Sequence, residues 1–152
     1  MEWAALAAWV ITAGGGFVLL SIWLARGGMK QREGGRRIRP PLILSHFLLA
    51  ATGLVLWIIY IVADSDTLAW IAFALLLVVA TLGFTMFAIW LRERQRRKPA
   101  GAPATPGAPN TAATAGGEPA EQHFPVAIVA LHGLLAATTL VLVLLAALDV
   151  GG

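Results

Sequence analysis

The chain contains three histidines and no cysteine, so its capacity to bind a metal or to move protons near neutrality rests on imidazole. His46 and His132 each lie inside a long apolar run, whereas His123 follows Glu121-Gln122 just before one. An ionisable side chain within an apolar span marks a functional site by default. Disulfides, thiolate metal centres and cysteine nucleophiles are excluded by composition. His46 and His132 therefore have three candidate roles: ligands to an iron or other metal, steps in a proton path, or buried polar groups that bond across helices. His123 is expected at a solvated entrance.

The elements that must position these rings follow from composition. The chain has 152 residues, 59% hydrophobic and 12% charged, against about 25% charged in ordinary soluble domains. So small a domain cannot hide that excess in a core, and lipid is the expected solvent. Apolar runs cover 3–25, 42–63, 68–91 and 124–148, each longer than the roughly 20 residues that cross a bilayer as a helix. None alternates as a barrel strand does. Backbone groups in lipid must be satisfied within the segment, so four membrane helices are predicted. All eleven Lys and Arg residues fall between Arg26 and Arg39 or between Arg92 and Lys98. The positive-inside rule places both stretches in the cytoplasm of a bacterial cell and both termini outside. It accounts for the clusters better than nucleic acid does. The first run starts with Glu2 and is too long for a cleaved leader, so it is read as a retained helix. Trp23 and Trp90 are expected at the inner membrane interface, and Trp3 and Trp70 at the outer one. The segment 99–121, rich in Ala, Pro, Gly and Thr, is expected to be a flexible cytoplasmic loop, serving as a tether or as a docking segment.

Two halves of the chain resemble each other. His46-Phe47-Leu48-Leu49-Ala50-Ala51-Thr52-Gly53-Leu54-Val55-Leu56 matches His132-Gly133-Leu134-Leu135-Ala136-Ala137-Thr138-Thr139-Leu140-Val141-Leu142 at nine of eleven positions. Gly16-Phe17 and Ile22-Trp23-Leu24 match Gly83-Phe84 and Ile89-Trp90-Leu91 in the same order. Matches of Leu and Ala alone would mean little, but the aligned His, Thr, Gly-Phe and Trp point to duplication of a helical hairpin. The expected fold is an all-α, integral membrane four-helix bundle of two duplicated hairpins, related by a two-fold axis along the membrane normal. The second and fourth helices then lie diagonally opposite, and His46 and His132 face each other across the axis. Both are expected roughly 7 to 12 Å below the inner surface.

Facing imidazoles suit a haem with one nitrogen on each face of the iron. The small residues agree with such a slot. On the histidine faces lie Ala50 and Gly53 after His46, and Ala136 and Thr139 after His132. Gly16 and Gly83 come out near the same depth, with Gly14 and Gly15 widening one side. The cofactor-binding candidates are thus His46, His132, Gly16, Ala50, Gly53, Gly83, Ala136 and Thr139, with the histidines as axial ligands. Haem propionates would point toward the basic end, where Arg36, Arg37, Arg39, Arg92 and Arg94 stand. Two histidines are too few for a closed zinc site. The intramembrane hydroxyls form no continuous path, which disfavours a transporter. A packing role in an anchor or assembly subunit stays open.

This pattern resembles small membrane b-type cytochromes, helical bundles in which histidines on different helices hold haem. The resemblance covers the histidine pair, the small residues beside it and the helix count, and implies one haem b. It implies one-electron transfer as a haem-dependent oxidoreductase component, exchanging electrons with a quinone or a redox protein. Homo-oligomerisation or membership of a larger complex is compatible with it.

Overall fold

The structure is a computed structural model that describes residues 1–30, 38–96 and 120–148. Every regular element among the described residues is helical: α1 (Glu2–Ala25), α2 (Pro40–Ala63), α3 (Asp66–Arg96) and α4 (Val126–Ala147), with single 3-10 turns at Gly28–Lys30 and Ala120–His123. All four α-helices are long and apolar enough to cross a membrane. The expected flexible segment 99–121 falls outside the described residues except for Ala120 and Glu121.

Local chemistry sets the boundaries. Pro40 opens α2, where its fixed φ suits the first turn and its missing N–H is no loss. α2 and α3 are joined through Asp64 and Ser65 alone. Asp64 adopts the left-handed conformation, with φ 50° and ψ 50°, and its N–H donates to the Tyr60 carbonyl at 2.8 Å. α3 runs to Arg96, five residues beyond its apolar stretch, because Arg, Glu and Gln continue a helix readily in water. α4 starts at Val126 instead of 124, because a residue before proline avoids helical geometry and Pro125 follows Phe124.

Each helix buries one stripe. On α1 it runs through Ala5, Trp9, Thr12 and Trp23. On α3 it runs through Ala69, Ala72, Leu76, Val79 and Trp90. Steps of three, four and eleven keep these residues on one helix face, as antiparallel bundle packing requires. The opposite faces are apolar as well: Phe17, Leu48, Val62, Phe84 and Leu134 are all exposed. Helices that are apolar all round belong in lipid.

The helices form a ring. α1 packs along α4 and α2 along α3, while contacts of α1 with α2 and of α3 with α4 are sparser. α2 and α4 are therefore diagonal, as are α1 and α3. The core consists of two separate clusters. One gathers Ala5, Trp9, Trp57, Tyr60, Leu76 and Val143 at the end away from the basic residues. The other gathers Trp23, Ile38, Ile43, Trp90 and Ala120 at the basic end. Trp23 and Trp90 are thus inside the bundle, 0% and 4% exposed, and not in a belt at the lipid interface. Trp3 and Trp70 do face outward.

Trp57 is fully buried, stacks near Trp9 and Tyr60, and donates through Nε1 to the Glu2 carbonyl at 3.3 Å. Trp57→Ala should cost about 3 to 5 kcal/mol in denaturant titrations of the micellar protein. Val62→Ala, at a position 82% exposed, should stay within about 0.5 kcal/mol of wild type.

Candidate functional site

Between the two clusters lies a layer of about ten residues on each helix whose side chains belong to neither. His46 and His132 project into this layer from the diagonal helices α2 and α4. Their ring centres are 6.4 Å apart, with ring planes inclined at 64°. Both imidazoles are half-buried.

Each ring is held by the helix packed beside its own. His46 Nδ1 lies 3.0 Å from the Val79 carbonyl on α3, and His132 Nδ1 lies 3.0 Å from the Thr12 carbonyl on α1. A carbonyl can only accept, so in both rings Nδ1 carries the proton and donates it. In the neutral ring the lone pair then sits on Nε2.

The carbonyls of Thr12 and Val79 already accept helical bonds from the N–H groups four residues on, those of Gly16 and Gly83. A Cβ built on Gly16 would stand 3.0 Å from His132 Cε1, and one on Gly83 3.1 Å from His46 Cε1. The missing side chains let each imidazole lie against the neighbouring helix and reach its carbonyl. Gly16 and Gly83 thus accommodate the rings themselves, and Gly15 also borders His132.

The remaining candidates divide. Ala50 and Ala136, one turn from the histidines, are half-buried in the same layer. Gly53 is covered by the Trp9 ring, 3.0 Å from where its Cβ would be. Thr139 is buried, and its hydroxyl stands 3.1 Å from that of Thr12, so that one donates to the other. Gly53 and Thr139 therefore close the layer toward the far cluster. Among the described residues no group of three or more His, Cys, Asp or Glu side chains could hold a metal ion. Any metal bound by the histidine pair must bring most of its own ligands.

Sequence reasoning missed Glu121. It was expected at the end of the flexible loop 99–121, yet it is 1% exposed, and its Oε1 accepts the Ile38 N–H at 3.0 Å. Its burial depends on the chain folding back against α1 and α3 at Ala120–His123, which no periodicity signals. His123 is half-buried. The carbonyls of Thr12 and Val79 were equally hidden, being main-chain atoms, although the Gly16/Gly83 match points to both one turn upstream.

Gly16→Val should break the His132 bond and leave that of His46 intact, and Gly83→Val the reverse. Nitrogen-15 spectra of histidine-labelled protein would report each Nδ1–H separately, with a stability loss of about 1 kcal/mol per broken bond. Gly14→Val, at a position with no neighbour within 4 Å, should change neither signal.

Comparison with known protein families, with curated proteins and with solved structures returned no match to this chain.

Proposed function

We propose that this chain is a membrane electron-transfer protein of the b-type cytochrome kind, with one haem b between α2 and α4 and His46 and His132 as its axial ligands. The observation that carries this reading is the imidazole pair. Two rings on diagonal helices donate Nδ1–H to helix carbonyls and keep Nε2 for a metal, across a 6.4 Å centre-to-centre gap. Ligating histidines almost always donate their other ring N–H in this way, fixing tautomer and orientation. With metal–nitrogen bonds of about 2 Å and roughly 1 Å more to each ring centre, two imidazoles on one iron have centres about 6 Å apart. The break in the apolar core supports the same reading. At about 1.5 Å per residue its ten or so residues extend about 15 Å along the bundle, a length comparable to that of a macrocycle on edge. Ala50 and Ala136 keep bulk out of that layer.

The chain's own part is to fix two neutral imidazoles, exclude water with the clusters above and below, and hold the helix pairs at the right separation. Bound there, the haem supplies a one-electron site. Its electrons would be exchanged with a quinone or a redox protein near the basic end.

The same contacts support the duplicated hairpin. The His46–Val79 bond with Gly83 on α3 has the same form as the His132–Thr12 bond with Gly16 on α1. In the proposed orientation the basic stretches are cytoplasmic, and the Asp64-Ser65 turn and both termini are external.

The purified protein from haem-supplied cells should give a reduced b-type absorption spectrum. His46→Ala and His132→Ala should each abolish it or convert it to that of a weakly ligated haem. A colourless wild type would sink the cytochrome reading and leave a packing or anchor role. For orientation, the chain's lack of cysteine makes any introduced thiol unique. Ser65→Cys in intact cells should react with a membrane-impermeant maleimide and Lys30→Cys should not, and the opposite pattern would invert the topology.

A further inference from the structure

We propose that α3 carries a binding site for one anionic phospholipid, with the lipid phosphate on Arg94 and an acyl chain along Phe87 and Phe84. The site lies on the outer surface of the bundle, apart from the histidine layer and from any group held there. Three aromatic rings follow one another along α3. The centres of Phe84 and Phe87 are 6.3 Å apart, and those of Phe87 and Trp90 are 5.9 Å apart. The Arg94 guanidinium ends the row, 5.4 Å from the centre of the Trp90 ring. Steps of three, three and four keep these side chains along one side of the helix.

Phe84 and Phe87 are 74% and 41% exposed, within the apolar stretch of α3. Arg94 lies just beyond Leu91, where that stretch ends. It is half-buried, whereas Arg92 and Arg96 on the same final turns are exposed. A cation over an indole is attracted to the face of the ring. The guanidinium then keeps its edge N–H groups for an acceptor, and a phosphate takes two of them at once. Arg92 and Arg96 add positive charge, which favours a headgroup without a cation of its own. From Phe84 to Arg94 the helix rises about 15 Å, one leaflet's share of a hydrocarbon core about 30 Å thick. An acyl chain can therefore follow the rings while its own phosphate meets the guanidinium. A soluble anion would meet the guanidinium alone. In α1, Phe17 and Trp23 match Phe84 and Trp90, but Leu20 and Gly27 stand where Phe87 and Arg94 do. The row with its cation is confined to the second half, so one such lipid is expected for each chain.

The test is native mass spectrometry of the solubilised chain, offered phosphatidylglycerol and phosphatidylcholine of equal chain length together. Wild type should retain one phosphatidylglycerol in preference to phosphatidylcholine. Arg94→Gln should weaken that retention about tenfold, as for loss of a hydrogen bond to a charged group. Arg92→Gln removes the same charge nearby and should leave retention close to wild type. Arg94→Lys keeps the charge without the planar fork and should fall between. Phe87→Ala should weaken retention of long-chain phosphatidylglycerol and leave that of a short-chain form unchanged. Excess inorganic phosphate should not displace the lipid. Equal retention of both lipids by wild type would overturn the proposal. So would equal losses in Arg92→Gln and Arg94→Gln, which would show attraction to general charge. Displacement by inorganic phosphate would make the site one for a free anion and overturn it as well. All these results read the same in a colourless protein, so they stand or fall separately from the cytochrome reading.

Discussion

A helix carbonyl in a bilayer already accepts one hydrogen bond, from the N–H four residues on, and this structure turns on two carbonyls that accept a second. In hydrocarbon a histidine has no water to bond to, so its Nδ1–H must find a protein acceptor or bear the cost of burial unmet. Thr12 and Val79 provide one each. A side chain on the residue one turn further on would press against the ring that reaches each of them, and at both places it is glycine. Ring orientation, tautomer, glycine and helix spacing therefore stand or fall together. A change at any one of them moves Nε2, the ring nitrogen left without a proton.

The same constraint explains the grouping of the helices. Each histidine is bonded to the helix most closely packed against its own, α2 to α3 and α4 to α1. Each pair is thus a unit with one imidazole fixed on it. The two units touch through apolar clusters at the ends of the bundle, where Trp9, Trp57 and Tyr60 fill one end and Trp23, Trp90 and Ile43 the other. Between these ends lie the imidazoles, half-buried Ala50 and Ala136, buried Val79 and the Thr12–Thr139 hydroxyl pair. The clusters set the width of the gap.

Most of this was legible in the sequence for a physical reason: lipid imposes length, apolarity and helical backbone at once. The four helices and the pairing of His46 with His132 across a diagonal follow from run length and internal matching. Boundaries were less legible because they depend on local chemistry outside the hydrocarbon. α3 continues on its charged tail, and Pro125 delays α4. Trp23 and Trp90 were misplaced because a tryptophan near a span end fits a lipid interface as well as a bundle interior, and only packing separates the two. Gly53 has the right spacing for the slot, yet it serves to admit the Trp9 ring. Glu121 was invisible because its burial is a property of a fold-back, not of its neighbours in the chain.

The two-residue turn at Asp64 has a consequence for how the molecule comes into being. It ties α2 to α3 so closely that this pair, with His46 already bonded, can close as soon as α3 has left the ribosome. The pair of α1 with α4 joins helices about a hundred residues apart and cannot form until α4 has been made. One half of the site is therefore old and the other young. During the interval α1 waits without its partner, and the layer around His46 is open on the side where α4 will pack. Arrival of α4 then closes it.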